Sequence, residues 1–296
     1  MPQISRYQRM KLSKLKIKKY FESNTDKIFN IKVLGVIFKE NLEGWNLAKV
    51  TKLEDFIEFL TNAKILKEMI EIKLPNNKNT KRYITGDYSI YDLAFAIHPK
   101  GYFSHYTAMS FHNLTINIPK VHYINFEQTN KFISGNSTLS QEGINRAFSN
   151  NMRKTNQIAE FKDEKVYMLN GKNTGNLGIE SINIGEKEYL ITGIERTLID
   201  IVVRPEYAGG VIEIIEAYKL AKGRCSINIL INILKEINYI YPYHQAIGFY
   251  LEKAGYKENI LQKIEKIPME FDFYLGYKIK DREYSERWKL FFPKGI

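Results

Sequence analysis

The stretch TKLEDFIEFLTNAKILKEMIEIKLPNNKNTKRYITG, residues 51–86, decides the first part of the fold. Thr51 is followed three residues later by Glu54, which is the pattern of a capping box at the start of a helix. Apolar residues then recur at helical spacing, at Leu53, Phe56, Ile57 and Leu60. We therefore predict a helix that begins beside Thr51 and buries one face.

The second half of this stretch indicates two strands. Residues 65–74 alternate between apolar and polar types, as strand residues do when one face is buried. Pro75-Asn76-Asn77 is a turn cluster, and a second strand leads away from it through Arg82 and Tyr83. We predict a two-stranded ribbon directly after the helix.

Two further helices are predicted upstream. One covers residues 6–22 and is basic and amphipathic, with helical spacing of Leu12, Leu15, Lys16 and Lys19. The other covers residues 30–42 and is weakened by Gly35. Three helices followed by a ribbon is the arrangement of a winged helix-turn-helix, which we assign to residues 1–86.

The positive charge of the chain is concentrated in this same part. The net charge is +11. Residues 1–100 carry nineteen Lys and Arg against eleven Asp and Glu, whereas residues 101–296 carry twenty-five against twenty-two. This asymmetry favours contact with nucleic-acid phosphates, because each bound cation releases counterions. Two alternatives stay open: a solvated basic face, and a winged helix that binds only protein.

The predicted recognition helix is itself acidic. Glu54, Asp55 and Glu58 would repel phosphate, although acids in the first turn suit the helix dipole. We therefore expect residues around this helix to make most of the contacts with double-stranded DNA. The predicted DNA-binding residues are Arg6, Arg9, Lys11, Lys14, Lys49, Thr51, Lys52, Lys73, Lys78, Lys81 and Arg82.

Residues 87–296 predict a larger mixed α/β domain, so the chain as a whole is α/β (α+β) in class. Two helices are expected on either side of Pro99-Lys100-Gly101, and Ser104 can cap the second. A helical segment near 192–254 comes after three short strands, at 120–128, 165–171 and 179–191.

The stretch TGIERTLIDIVVRPEYAGG, residues 192–210, opens this helical segment. Thr192 and Glu195 have the spacing of a second capping box. The spacing also predicts an inward apolar stripe of Ile194, Leu198, Ile201 and Val202.

The polar residues of the same stretch have mostly structural interpretations. Asp200 and Arg204 lie four residues apart and are predicted to pair on the helix surface. Pro205 is expected to end the helix, and Gly209-Gly210 to permit a tight reversal of the chain. Arg196 alone has no evident local partner. We predict no catalytic residue here.

Other signals for chemistry are weak. Cys225 is the single cysteine, which excludes disulfide frameworks and thiolate metal sites and indicates a reducing cytoplasm. No long uncharged apolar run could span a membrane. His98, His105 and His112 recur every seven residues, but a helix would place the last two about 10 Å apart. We predict no metal site and no cofactor.

One enzymatic alternative remains open. Asp163 and Lys165 lie before a predicted strand in a spacing that faintly resembles a metal-dependent nuclease. Such a site also needs an upstream carboxylate to share the metal, and the sequence does not single out a residue for that role. We therefore expect the chain not to be an enzyme, with a winged-helix-guided nuclease or nucleotide-modifying enzyme as the alternative.

Three segments resemble the AbiEi family of antitoxins from abortive-infection, type IV toxin–antitoxin systems. They are YFSHYTAMSFHNLT (102–115), TGIERTLIDIVVRPEYAGG (192–210) and YPYHQAIGFYLEKAGY (241–256). The resemblance spans roughly residues 85–296 and makes residues 87–296 an AbiEi-type antitoxin domain. The residues that match the family's motifs are Ser104, His105, Ala108, Glu195, Arg196, Thr197, Asp200, Arg204, Gly209 and Gly210.

The resemblance implies a function for each part of the chain. The first domain would bind inverted repeats in its own promoter and act as a transcriptional repressor of its operon. The second would counter a cognate nucleotidyltransferase toxin, without necessarily touching it. The pair would act in phage defence or plasmid maintenance.

Overall fold

The computed structural model describes residues 4–75, 78–129, 139–185 and 187–296 of the chain. The chain divides into two compact units. Unit 1 comprises Met1–Lys100, Gln157–Val166 and Gly185–Lys187, and unit 2 comprises Gly101–Asn156, Tyr167–Ile184 and Glu188–Ile296. This division differs from the predicted boundary after residue 86, because unit 1 continues to Lys100 and takes in two later segments of the chain.

The described residues form twelve helices and twelve strands. The helices are α1 (Arg6–Leu12), α2 (Lys14–Ser23), α3 (Ile31–Asn41), α4 (Leu53–Asn62), α5 (Ile90–Ile97), α6 (His105–Phe111), α7 (Gln141–Phe148), α8 (Ile194–Val203), α9 (Val211–Leu220), α10 (Ile227–Ile237), α11 (Tyr243–Lys253) and α12 (Glu258–Glu265). The strands are β1 (Ile28–Phe29), β2 (Glu68–Leu74), β3 (Lys78–Ile84), β4 (Tyr102–Phe103), β5 (Val121–Glu127), β6 (Ile158–Phe161), β7 (Glu164–Gly171), β8 (Ile179–Ile184), β9 (Lys187–Thr192), β10 (Phe273–Tyr274), β11 (Arg282–Ser285) and β12 (Leu290–Pro293).

Unit 1 is a winged helix, as its sequence predicts. Helices α3 and α4 are followed by the antiparallel ribbon β2–β3, in which Ile70 lies opposite Arg82. Strand β1 extends the ribbon on one side through β3, and β6 extends it on the other through β2. The predicted turn residues Asn76 and Asn77 lie outside the described residues.

The first helical segment differs from its prediction. It consists of two helices that meet at Ser13, whose hydroxyl donates a hydrogen bond to the Trp45 carbonyl. Leu12 and Leu15 are 76% and 81% exposed, so the predicted apolar stripe is wrong. The buried face is instead formed by Met10, Ile17 and Phe21.

Helix α4 begins two residues after the predicted cap. Its N-cap is Lys52, whose backbone N–H donates to the Asp55 carboxylate over 3.1 Å. Thr51 is buried, and its hydroxyl has no hydrogen-bond partner within the described ranges. The apolar face is as predicted, and Phe56 and Leu60 lie in the core of unit 1.

Unit 2 combines a mixed sheet with a bundle of helices. The strands that belong to it run in the order β7-β5-β4-β9-β8, and β4 pairs with β9 in parallel. A second sheet has the order β10-β12-β11. The helical core contains Trp288, Tyr218 and Tyr250, all fully buried. A Cβ on Gly248 of α11 would come within 2.2 Å of the Trp288 ring, so the indole can pack against α11 only because residue 248 has no side chain.

Helix α8 contains the stretch that resembles the AbiEi motif. It ends at Val203, before a 3-10 turn at Pro205–Tyr207, as predicted from the proline. Gly209 and Gly210 have φ angles of +80° and +89°, a conformation that favours glycine. The predicted reversal of the chain is therefore confirmed, and it leads directly into α9.

The predicted capping box of α8 is wrong. Its N-cap is Gly193, and the Thr192 hydroxyl lies 2.7 Å from that of Thr197. The Glu195 carboxylate accepts a hydrogen bond of 2.7 Å from the backbone N–H of Ser226. Glu195 thus satisfies a donor at the start of α10, which the local spacing could not reveal.

None of the helices in the described ranges is both long enough and apolar enough to cross a lipid bilayer.

Candidate nucleic-acid interface and polar cavity

Most of the cations predicted to contact DNA are exposed on unit 1. Arg9 is half-buried on α1. The exposed members of the predicted set are Arg6, Lys11, Lys14, Lys49, Lys52, Lys73, Lys78 and Lys81. Long basic side chains on a winged helix are suited to phosphate contact, because phosphates dominate the affinity of proteins for DNA.

Helix α1 lies against the acidic recognition helix α4. The Arg6 guanidinium is 3.2 Å from the Asp55 carboxylate, and the rings of Tyr7 and Phe59 meet edge to face with centroids 6.2 Å apart. Arg6 therefore offsets one of the three acids at the start of α4 and is only partly free to contact phosphate. Glu54 and Glu58 remain exposed.

The ribbon presents its lysines in different settings. Lys81 lies opposite Glu71 in the ladder, and Lys73 lies opposite Glu160 of β6. Opposite charges on facing residues offset part of each lysine's attraction for phosphate. Lys78 begins β3, opposite Leu74 near the end of the ribbon, where no acid faces it in the ladder.

The prediction of DNA contact is wrong for two residues, Arg82 and Thr51, because both are buried. Arg82 is only 7% exposed, and its guanidinium donates to the Ala96 carbonyl over 3.1 Å and to the Thr80 hydroxyl over 2.6 Å. Burial lowers the pKa of Arg82. Thr51 is equally buried. Both side chains point into unit 1, because β3 turns Arg82 inward and Thr51 precedes the N-cap of α4.

Unit 2 contains a polar cavity of about 510 Å³. Residues from two of the three segments of the resemblance meet there, since His105 comes from α6, and Arg196 and Asp200 come from α8. Further lining residues are Asn125, Arg153 and Arg204. Arg153 and Asn125 belong to no recognised motif, so no sequence pattern could identify them as residues of the site.

A buried ion pair forms one wall of the cavity. Arg196 Nε lies 2.9 Å from Asp200 Oδ1, and the two side chains are 4% and 7% exposed. The pair supplies the partner that sequence analysis could not find for Arg196. Burial is the largest single influence and lowers the pKa of Arg196, but the Asp200 carboxylate together with Tyr239 and Tyr102 raises it by more, so the net shift is upward. The guanidinium therefore stays charged.

The predicted pair between Asp200 and Arg204 is wrong. Arg204 has φ −133° and ψ 69°, outside the helical region, because Pro205 excludes the helical conformation at the residue before it. Its side chain instead donates a hydrogen bond of 3.1 Å to the Arg153 carbonyl. The proline thus turns Arg204 away from Asp200 and toward the rim of the cavity.

Residues 172–178 form a loop that holds Arg196 in place, and the sequence GKNTGNLG predicts a loop here. The Arg196 guanidinium donates to the Leu177 carbonyl over 2.6 Å and to the Thr174 hydroxyl over 3.1 Å. Gly178 has φ +71°, and a Cβ there would lie 2.9 Å from the Cβ of Arg196. The glycine lets the loop press directly on the arginine.

The same loop is fixed from its other side by Glu127 of β5. This carboxylate accepts hydrogen bonds from the backbone N–H groups of Thr174 and Asn176, over 2.8 Å and 3.2 Å. Burial raises the pKa of Glu127. The hydrogen bonds from Thr174 and Asn176 together lower the pKa by more, so the net shift is downward. Arg196 and Glu127 therefore hold this loop from two sides, beside the cavity that Lys172 and Arg196 line.

His105 lies at the first position of α6 in a left-handed conformation, with φ +52°. Its Nδ1 is 2.9 Å from the Ser104 hydroxyl. Ser104 occupies the N-cap position of α6, as predicted, but its side chain makes no capping hydrogen bond. Burial lowers the pKa of His105 to about 4. The imidazole is neutral at pH 7, when it can donate and accept hydrogen bonds within the cavity.

The histidines and acids do not converge on a metal. His112 Nε2 lies 2.6 Å from the Thr192 carbonyl, which gives this histidine a structural partner. Asp163 lies in the exposed turn between β6 and β7. Across the described ranges, no group of three His, Cys, Asp or Glu side chains could hold a metal ion.

The remaining motif residues have structural positions. Ala108 and Thr197 are fully buried, Glu195 bonds to the start of α10, and the two glycines shape the turn before α9. The residues that resemble the AbiEi motif therefore divide into a group that shapes the fold and a group around the cavity: Ser104, His105, Arg196, Asp200 and Arg204.

Comparison with known proteins informs the fold. No protein-family model matches the chain, and no curated protein sequence is significantly similar to it. Its structure is similar to the crystal structure of the RV2827C protein from Mycobacterium tuberculosis, with a TM-score of 0.58 over 95% of this chain and 91% of that chain. The two sequences are 10% identical, so the similarity concerns the α/β fold.

Proposed function

We propose that the chain is an AbiEi-type antitoxin that also binds DNA and represses its own operon. In this proposal unit 1 binds inverted repeats in the promoter. Unit 2 counters a cognate nucleotidyltransferase toxin, in the cytoplasm and without any reaction catalysed by the chain. The operon would serve in abortive infection.

The observation that carries the DNA-binding half is the position of the exposed lysines on a winged helix. Lys11 and Lys14 flank the junction of α1 and α2, Lys52 caps α4, and Lys78 begins the second strand of the ribbon. These lysines lie in α1 and α2, at the start of α4 and at the start of β3, which are the elements around and within the helix pair α3–α4. The acidic residues Glu54 and Glu58 argue for phosphate contacts from the surrounding elements, with few contacts from α4 itself.

The antitoxin half is supported by how the motif residues are used. Two segments that are far apart in sequence supply His105 and Arg196 to one cavity. Some of the residues that resemble the AbiEi motifs therefore line one cavity, whereas others shape the ends of helices.

A gel-shift experiment tests the repressor half. The purified full-length chain is titrated against the DNA upstream of its own operon and against a random duplex of equal length. We expect preferential binding of the upstream DNA, with affinity that falls steeply as salt is added because several phosphates are neutralised. Equal affinity for the two duplexes would contradict the proposal of a specific repressor.

A further inference from the structure

We propose that the cavity of unit 2 binds a phosphorylated nucleoside, either a free nucleotide or the terminal nucleotide of an RNA strand. This inference goes beyond the proposed function, because it assigns a small ligand to the antitoxin domain and does not depend on the toxin. It rests on the charge balance, the construction and the size of the cavity.

The charge balance of the cavity strongly favours an anion. Its lining contains one carboxylate, Asp200, and five cationic side chains: Arg153, Lys154, Lys172, Arg196 and Arg204. Asp200 is already paired with Arg196. Lys154 is paired with Glu206 over 2.5 Å.

Three cations therefore remain without a carboxylate partner among the described residues: Arg153, Lys172 and Arg204. Lys172 donates to the carbonyls of Ile237 and Asn238, over 2.5 Å and 2.8 Å, and these neutral acceptors leave its charge uncompensated. Three cations at one opening are suited to a ligand with several negative charges, such as one or more phosphates.

The cations are held by rigid neighbours. The Arg204 side chain bonds to the Arg153 carbonyl, which joins the two arginines at one edge of the opening. The 172–178 loop beside Lys172 is fixed by Arg196 and by Glu127. Groups that are positioned before binding lose little conformational freedom when a ligand arrives, which raises affinity.

The rest of the lining can recognise a nucleoside. Asn125, Gln128 and Asn170 supply amide groups. The Asn125 amide donates one hydrogen bond to the Tyr102 hydroxyl and the Gln128 amide donates one to the Asn170 carbonyl, but a side-chain amide has a second N–H and an oxygen with which to bond the edge of a base. Tyr239 is half-buried and supplies an aromatic ring beside Lys172, whose Nζ is 5.8 Å from the ring centroid. Aromatic rings stack on bases of any sequence.

The size of the cavity agrees with this ligand. Its volume of about 510 Å³ lies within the range of about 300–1,000 Å³ that is usual for small-molecule sites. Gly171 contributes to this space, because a Cβ there would lie 2.7 Å from the Asn125 amide nitrogen. An inorganic phosphate alone would leave most of the cavity and all of its amide groups unused.

Calorimetric titration of the full-length chain tests the proposal. The probes are ATP, GTP, CTP and UTP, each alone, then a short single-stranded RNA with a terminal phosphate, and inorganic tripolyphosphate. The cavity variant is Arg153→Gln/Arg204→Gln. The matched control is Arg146→Gln/Lys280→Gln, which removes the same charge from exposed positions of unit 2 outside the lining. Equal melting temperatures of the two variants establish that both are folded.

We expect the cavity variant to bind at least one nucleotide, or the RNA, about tenfold or more weakly than the wild type. The control should stay within about twofold, and any RNA that unit 1 binds should contribute equally in the wild type and both variants, because neither variant changes unit 1. A loss for free nucleotides identifies a nucleotide site, and a loss for the RNA alone identifies a strand end. The proposal is overturned if neither probe is affected, if the control loses as much, or if tripolyphosphate alone is affected.

Discussion

Asp200 and Arg196 form an ion pair one helical turn apart in α8, with Nε 2.9 Å from Oδ1 and both side chains almost fully buried. The same guanidinium bonds to the loop at Leu177 and Thr174. The pair therefore joins a helix of the core to the wall of the cavity. Its removal should affect both the stability of unit 2 and the shape of the cavity.

The substitution Asp200→Asn should destabilise the chain strongly. It keeps the size of the side chain but leaves the Arg196 charge buried without a counter-charge. Breaking a buried ion pair in this way costs about 3–5 kcal/mol. Denaturant unfolding, followed by circular dichroism, measures the loss.

The control for this prediction is Arg204→Gln, which changes an exposed side chain that makes one hydrogen bond to a carbonyl. Its cost should stay within about 1 kcal/mol. A similar free energy of unfolding for the Asp200→Asn protein and the wild type would show that Asp200 does not stabilise Arg196.

Protonation of His105 should destabilise the fold in acid. Burial lowers its folded-state pKa to about 4, below the unfolded value of about 6.5, so the folded state binds the proton less tightly. The resulting stability is fully present above pH 6.5 and is lost as the pH falls from 6.5 to 4. The maximum loss for this shift is about 3 kcal/mol.

The substitution His105→Asn isolates this effect. Asparagine tolerates the left-handed conformation that position 105 has, so the backbone should be retained. The free energy of unfolding of the variant should fall less between pH 6.5 and pH 4 than that of the wild type. Parallel pH profiles for the two proteins would mean that His105 does not titrate in this window.

The substitution Gly248→Ala should disrupt the core of unit 2. The added Cβ would meet three atoms of the Trp288 ring at 2.2–2.6 Å, and the indole is fully buried. Overpacking of this kind typically costs about 1–3 kcal/mol. Gly44→Ala is the control, because the nearest atom to its Cβ is 3.9 Å away. Equal thermal stability of the two variants would contradict the close packing of the Trp288 indole against Gly248.

The salt dependence of DNA binding should report the lysines of unit 1. Each phosphate that the protein no longer neutralises changes the slope of log affinity against log salt by about 0.9. We expect Lys11→Gln/Lys14→Gln to reduce the slope by up to about 2, measured by fluorescence anisotropy on the upstream DNA. Lys235→Gln/Lys280→Gln, on unit 2, should leave it unchanged. An unchanged slope for the first variant would exclude Lys11 and Lys14 as residues that bind phosphate.

The elements with strong local signals could be predicted from the sequence. The ribbon β2–β3, the break around Pro99, the end of α8 at Pro205 and the reversal at Gly209-Gly210 each depend on residues next to each other in the chain. Their backbone preferences act locally, so spacing and residue type are sufficient. The α/β class follows from the same elements.

The features that sequence reasoning missed depend on contacts between distant residues. The break at Ser13 reflects a hydrogen bond to Trp45, and Glu195 bonds to the N-cap residue of α10, far along the chain. Helix α12 lies beyond the end of the predicted helical segment near 192–254. By sequence spacing, Asp200 could pair with either Arg196 or Arg204, since each lies four residues away. The non-helical backbone at Arg204 excludes the second pair, and this is visible only in the structure.

A growth assay tests the central claim most directly. Bacteria express the reading frame next to this gene, which the proposal predicts to encode a nucleotidyltransferase, either alone, with the wild-type chain, or with the Lys11→Gln/Lys14→Gln variant. We predict that both proteins restore growth, because the proposal assigns neutralisation of the toxin to unit 2 and the substituted lysines belong to unit 1. If cells die equally fast with and without the wild-type chain, the chain is not the antitoxin of that enzyme.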